Sequence, residues 1–134
     1  MSRMLLIIFM SSCFYLTSCG SQAIVSNYPF LDTDGEEDTA VTILFSDDHD
    51  YSTENNYYDA LIDVQQKHPN KLSNVNIVSQ TDTELVQFYE IEQFPTLLLV
   101  DDLEVMLRIE GEKDVTSIYS KLDSTVKKQQ ERSS

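Results

Sequence analysis

The run Ala40–Phe45 is nearly all apolar, and it constrains the fold of this chain more than any other stretch. A strand with one wet face alternates between apolar and polar residues, whereas a strand buried on both faces reads as a continuous apolar run. Helix-spaced apolar residues follow at Tyr57 and Leu61, and β-forming residues return around Val75. A strand, a helix and a second strand in this order predict two parallel strands joined by a right-handed crossover.

The remaining segments continue this α/β alternation. The capping-box pattern Thr81–Glu84 predicts the start of a short helix with Leu85, Phe88 and Tyr89 inward. Two strands are predicted next, Thr96–Val100 and Glu104–Glu110, the second with one wet face. An amphipathic helix is predicted at Val115–Val126. The predicted order over residues 39–128 is therefore β-α-β-α-β-β-α, a mixed central sheet with flanking helices. We predict that the polar residues 129–134 form a tail.

The net charge of the chain limits the classes of molecule that it is expected to bind. The 134 residues suit a single domain, and their formal net charge is −14. Nucleic-acid binding requires clustered Lys and Arg, so a nucleic-acid partner is not expected. The same charge disfavours adhesion to anionic lipid and favours either cationic partners or simple solubility.

The first eighteen residues predict a secretory signal peptide. They carry one basic residue, Arg3, and then a short apolar stretch, LLIIFMSSCFYL, that is too short for a comfortable membrane span. The following Leu16-Thr17-Ser18-Cys19 resembles the bacterial lipobox. That resemblance implies lipidation and palmitate-type acylation at Cys19, and a protein anchored outside the cytoplasm on the outer face of a bacterial cell membrane. The alternative is an ordinary signal peptide followed by a chance cysteine.

Residues 19–38 are predicted to form the lipidated N-terminus and a tether to the domain. A short edge strand at Ile24–Val25 and Tyr28–Phe30 is an alternative for part of this segment. The sequence DTDGEED at residues 32–38 is acidic, but Gly35 stands at the wrong position for an EF-hand loop. We therefore interpret it as a solvated acidic loop and predict no metal site there.

One segment resembles a known fold family. The stretch Tyr89–Leu99 reads YEIEQFPTLLL and is similar to the segment of the thioredoxin fold that carries a Pro-Thr turn. Val41–Phe45 resembles the central strand of that family, and Glu110-Gly111 resembles the glycine before its last helix. The resemblance implies a cis Phe94–Pro95 bond whose neighbouring backbone pairs with an extended peptide.

Several residues depart from the family. Its Cys-x-x-Cys motif falls on Asp50-Tyr51-Ser52-Thr53, and its buried acid falls on Leu44, so neither reactive thiol nor proton-transfer aid is present. The chain has two cysteines, Cys13 in the signal and Cys19 in the lipobox. Thiol–disulfide exchange needs a free thiolate, so we expect no redox catalysis, no catalytic residue and no cofactor.

The sequence thus predicts a non-catalytic binding module. The predicted ligand-binding residues are Asp50, Tyr51, Ser52, Thr53, Phe94, Pro95 and Thr96. The predicted partners are the membrane, through the lipid, and an envelope protein, a peptide or a peptidoglycan fragment. Two alternatives remain at this stage: an accessory envelope lipoprotein with a vestigial groove, and metal binding by Asp47–Asp50. Helix capping by Asp50, Ser52 or Thr53 is the simpler interpretation of the latter stretch.

Overall fold

The computed structural model describes residues 20–32 and 40–133. Its helices are α1 (Gly20–Asn27), α2 (Asn55–Lys67), α3 (Thr83–Phe88) and α4 (Val115–Ser133), and its strands are β1 (Ala40–Ser46), β2 (Leu72–Ser79), β3 (Thr96–Asp101) and β4 (Glu104–Glu110). Short 3-10 turns cover Pro29–Leu31 and Ser52–Glu54. The order from β1 onward is the predicted β-α-β-α-β-β-α.

The four strands form one mixed sheet in the order β2-β1-β3-β4. β1 pairs in parallel with β2 and antiparallel with β3, and β3 pairs antiparallel with β4. All seven residues of β1 are buried, as its apolar run predicts. We call the end of the sheet where β1 and β2 finish and β3 begins the proline end. The opposite end is the turn end, where Asp102 and Leu103 connect β3 to β4.

Helices cover both faces of the sheet. On one face, α2 and α4 pack on the inward side chains of the strands, with Tyr57, Leu61, Ile118 and Leu122 in the core. On the other face, α1 and α3 pack over a second core. Both faces of β1 are therefore shielded from water, which explains why a run without polar alternation is stable there.

The N-terminal segment is helical, and the predicted edge strand at Ile24–Val25 and Tyr28–Phe30 is wrong. Ile24 is only 4% exposed and belongs to the core under α1. The amide of Asn27 donates to Glu84 at 2.9 Å, and the hydroxyl of Tyr28 donates to Asp82 at 2.6 Å. These contacts outweigh the strand preference of the β-branched pair. Residues 20–32 are accordingly a docked part of the domain, where a tether was predicted.

Details of α3 also differ from the prediction. The N-cap is Asp82, whose carboxylate accepts from the amide of Leu85, one residue later than the predicted cap. Thr81 instead shares a hydrogen bond with the hydroxyl of Ser79. Phe88, predicted to face inward, is 37% exposed and packs edge-on against the buried Tyr89.

The C-terminal helix is longer than predicted. α4 continues to Ser133, through the residues predicted to form a polar tail. The Gln129 amide donates to the sulfur of Met106 at 3.4 Å, which connects these last turns to β4.

Three predictions fall outside the described residues: the signal peptide 1–18, Cys19 with its lipid, and most of the acidic stretch 32–38. Within residues 20–32 and 40–133, no helix combines the length and the apolar character that crossing a bilayer requires.

Candidate functional site

The candidate site lies at the proline end of the sheet. The Phe94–Pro95 peptide bond is cis, as the family resemblance implied. The hydroxyl of Thr96 donates to the carbonyl of Gln93 at 2.6 Å, and the amide of Gly111 donates to the carbonyl of Pro95 at 2.8 Å. Hydrogen bonds on both sides of the bond therefore hold the turn in place.

Gly111 connects this turn to α2. Its φ is +74°, a backbone conformation that favours glycine, and a Cβ added there would lie 2.9 Å from the side-chain oxygen of Gln93. The buried hydroxyl of Tyr57 in α2 donates to the Gly111 carbonyl. The Asn56 amide similarly donates to the carbonyl of Lys113 at 2.9 Å. The start of α2 and the proline turn are thus linked through residues 111–113.

The loop after β1 reaches the same end of the sheet. The carboxylate of Asp50 accepts from the amide of Ser52 at 3.0 Å and from its hydroxyl at 2.5 Å. These hydrogen bonds from Ser52 hold the pKa of Asp50 below its ordinary value. Asp50 therefore stabilises the 3-10 turn that precedes α2, while α2 itself begins without a side-chain cap. The predicted capping of α2 by Asp50, Ser52 or Thr53 is therefore wrong, because the 3-10 turn Ser52–Glu54 separates Asp50 from the start of the helix.

The residues predicted to bind a ligand divide into two groups. Asp50, Tyr51 and Ser52 are exposed, with Tyr51 60% accessible, and Thr53 and Phe94 are half-buried. Pro95 and Thr96 are buried. Thr96 holds the turn through its bond to Gln93, and its contact with a ligand stays a prediction. Among the hydrogen bonds of the described chain, none uses the backbone N–H or C=O of Phe94.

Glu54 is a buried carboxylate that the sequence analysis missed. It is 1% exposed, its oxygen accepts from the hydroxyl of Ser46 at 2.5 Å, and its other oxygen lies 3.4 Å from the hydroxyl of Tyr58. A buried carboxyl group needs such partners because an unpaired one is costly. The helical spacing in the sequence could have indicated that Glu54 is buried. Glu54 lies three residues before Tyr57 and seven before Leu61, so it falls on the apolar face of α2.

The acidic residues before Asp50 have partners within the protein. The hydroxyl of Ser79 donates to Asp48, and the amide of His49 donates to Asp47 at 2.9 Å. Across the described ranges, no three His, Cys, Asp or Glu side chains converge in a way that could hold a metal ion. The arrangement of Asp47–Asp50 is that of a loop stabilised by its own hydrogen bonds.

Comparison with solved structures identifies the fold. A thioredoxin-like protein from Clostridium perfringens superposes with a TM-score of 0.54 at 19% sequence identity, covering 69% of this chain and 76% of that one. The chain has a thioredoxin-like fold. A designed protein is similar to the same degree, with a TM-score of 0.53 at 19% identity over 66% of this chain and 77% of the other.

Sequence comparison relates part of the chain to a bacterial lipoprotein. A Pal-related lipoprotein of Bacillus subtilis (strain 168) is 33% identical over 69 residues. The match covers 52% of this chain, and this chain spans only about half, 53%, of that relative. No protein-family model matches the chain.

Proposed function

We propose that this protein is a lipid-anchored, redox-inactive binding module of the bacterial envelope, which holds an extended peptide segment against the Phe94–Pro95 turn. The observation that carries this proposal is the open backbone of Phe94 beside a firmly held cis-proline turn. An extended peptide can pair its own backbone with such free groups, as strands pair in a sheet.

The anchor is supported from two directions. Leu16-Thr17-Ser18-Cys19 has the lipobox pattern, and the Bacillus relative is named a lipoprotein. Metabolic labelling with a clickable palmitate analogue tests it in whole cells. We expect the label on the wild-type chain and its loss in Cys19→Ser, with Ser18→Ala as the matched control that keeps a small residue before the cysteine. Unchanged labelling of Cys19→Ser would contradict the anchor.

We propose that the domain is redox-inactive because of where its cysteines lie in the sequence. Cys13 and Cys19 are the only cysteines, and the positions corresponding to the reactive pair of the family are Asp50 and Thr53. Disulfide exchange requires a thiolate that attacks a disulfide sulfur. We therefore propose that the groove binds without forming or breaking a covalent bond.

The negative charge and the exposed aromatic ring at the proline end indicate which class of ligand would bind there. Tyr51 offers a ring that is 60% exposed, and Asp47, Asp50 and Glu112 surround the same end of the sheet with negative charge. Aromatic rings attract Lys and Arg as well as apolar groups, and carboxylates attract them over longer distances. The proposed ligand is accordingly an extended peptide segment that carries basic residues.

A backbone NMR titration of residues 20–134 tests this proposal. The probe is an unstructured peptide of alternating Lys and Val, compared with one of alternating Glu and Val. We expect saturable shifts at residues 50–53 and 93–96 with the basic peptide. Tyr51→Ala and Phe94→Ala should weaken that binding several-fold, whereas Ile62→Ala, which removes another exposed apolar side chain, should not. No saturable shift at the turn, in a folded spectrum, would refute the groove as the binding site.

A second candidate function is an accessory envelope lipoprotein that uses another surface. Its support is the exposure of two large aliphatic side chains, Ile62 on α2 at 51% and Ile77 on the edge strand β2 at 59%. Contact with a partner at either side chain would remove apolar surface from water, which is favourable. In that case, Ile62→Asp and Ile77→Asp would reduce partner cross-linking in membranes, and Phe94→Ala would leave it unchanged.

A further inference from the structure

The direction of α1 along the sheet is set by contacts at both of its ends. Near its start, Ser21, Gln22 and Val25 line a cleft of about 240 Å³ together with Leu103, which lies in the β3–β4 turn. Just after its last residue, the Tyr28 hydroxyl bonds Asp82, which follows β2. α1 therefore begins at the turn end and finishes towards the proline end.

The link between the predicted lipidated residue and this helix is short. Gly20, the first residue of α1, directly follows Cys19 in sequence. α1 is held on the domain by Ile24, which is 4% exposed, and by the hydrogen bond from Asn27 to Glu84. A lipid on Cys19 would consequently be attached to the docked helix itself, with no spacer that lets the domain reorient.

We infer that the lipid anchor holds the turn end of the domain towards the membrane and points the proline end, with Tyr51 and Phe94, away from it. This inference rests on the proposed lipidation of Cys19. The seven residues of β4 separate the two ends, which corresponds to about 20 Å at the usual rise per strand residue. The groove then opens to the aqueous side of the envelope, and its peptide ligand arrives from there. A peptide lying in the lipid headgroup region could not reach it.

Charge alone would not produce this orientation. At the turn end, Lys128 and Arg132 line a cleft of about 280 Å³ together with Asp101 and Glu104, so positive and negative groups are mixed there. Charges at the proline end lie beyond the Debye length of about 8 Å from the bilayer at physiological salt. We infer that the docking of α1 through Ile24 and Asn27 fixes the direction.

Two single-cysteine variants test the orientation. Glu104→Cys replaces an exposed glutamate at the turn end, where β4 begins. Glu112→Cys replaces an exposed glutamate at the proline end, just after β4. Cys13 and Cys19 are the only native cysteines, so a processed and lipidated chain has one reactive thiol in each variant. The full lipidated protein is labelled with a fluorophore and inserted into phosphatidylethanolamine–phosphatidylglycerol vesicles that carry headgroup nitroxides. We expect quenching at residue 104 to exceed that at residue 112 at least threefold.

A flexible insertion provides the matched control. Ten Gly and Ser residues placed between Cys19 and Gly20 leave every described contact intact and give a coil with an end-to-end distance of about 18 Å. Quenching at the two positions should then become similar. Equal quenching without the insertion, or stronger quenching at residue 112, would overturn the orientation while leaving the anchor intact. Failure of the chain to float with vesicles, or thiol labelling of Cys19 itself, would refute the anchor and the orientation, whereas peptide binding is tested separately on residues 20–134.

Discussion

The amide of Gly111 donates a hydrogen bond to the carbonyl oxygen of Pro95 at 2.8 Å. This bond ties the end of β4 to the cis-proline turn, and the hydroxyl of Tyr57 ties the same glycine to α2. One residue thereby joins three elements beneath the candidate groove. The cis-proline turn is thus held in place by hydrogen bonds to β4 and, through Gly111, to α2.

Gly111→Ala should destabilise the fold. The φ of +74° is unfavourable for alanine, and a left-handed conformation costs an L-residue about 1–2 kcal/mol. Urea unfolding followed by circular dichroism measures the change. Gly111→Asn separates the two possible causes, because Asn tolerates positive φ but also carries a Cβ that meets Gln93. A smaller loss with Asn identifies the backbone, and an equal or larger loss identifies the contact with Gln93.

The two buried tyrosines should respond in opposite ways to loss of the hydroxyl. Tyr57 donates to the Gly111 carbonyl, so Tyr57→Phe removes a part-buried hydrogen bond and should cost about 0.5–1.5 kcal/mol. The hydroxyl of Tyr89 is buried without a hydrogen-bond partner among the described residues. Tyr89→Phe should therefore be neutral or stabilising by up to about 1 kcal/mol. Equal destabilisation of both variants in urea unfolding would contradict these assignments.

Asp123 should make stability depend on acid pH. Its carboxylate binds Lys127 at 2.9 Å and His68 at 2.7 Å, and these partners hold its pKa well below the ordinary 3.8. A depressed folded-state pKa stabilises the protein above the unfolded value, and the contribution fades as the pH falls below it. Asp123→Asn should thus lower the melting temperature at pH 7 and have a smaller effect at pH 3.

Asp59, exposed on α2, supplies the control for this experiment. Asp59→Asn should change the melting temperature little at either pH, because exposed substitutions of this kind usually stay within about 0.5 kcal/mol. A constant difference between wild type and Asp123→Asn from pH 7 to pH 3 would show that the ion pairs at Asp123 do not stabilise the fold.

The docked helix α1 should contribute to global stability. Ile24→Ala removes a side chain that is 4% exposed in the core, and losses of about 2–5 kcal/mol are typical of such a change. Ser26→Ala, at an exposed position of the same helix, should change stability little. Hydrogen exchange of residues 21–27 supplies an independent readout. Exchange at unprotected rates in the wild type would show that α1 is detached in solution.

The strands could be predicted because their signals are local. The continuous apolar run Ala40–Phe45 predicted a strand buried on both faces, and β1 is entirely buried. Alternation at Glu104–Glu110 predicted the bounds of β4, but the predicted single wet face is wrong. A register shift between β3 and β4 places Val105 against one core and Met106 against the other. The local pattern therefore predicted the strand, whereas its pairing and the packed helices decide which faces are covered.

Other features depend on contacts between distant residues. Ile24 and Val25 favour a strand locally, and only the docking surface beneath them, with Leu103 at its edge, makes the helix stable. Leu103 itself has a φ of +66°, which leucine rarely adopts and no local pattern indicates. Burial of Glu54 likewise requires the hydroxyl of Ser46, eight residues away. These features become visible only when the packed structure is known.

The outer strand β2 has a consequence for how copies of this protein behave in concentrated solution. β2 reads LSNVNIVS, without a single charged residue, and Ile77 on it is 59% exposed. Most exposed edge strands are protected from sticking to one another by charges or proline within the strand. In this protein, we expect the net charge of the whole chain to provide that protection, because copies that each carry −14 repel one another and keep their edge strands apart. Colloidal stability is therefore expected to fall as added salt shortens the range of that repulsion.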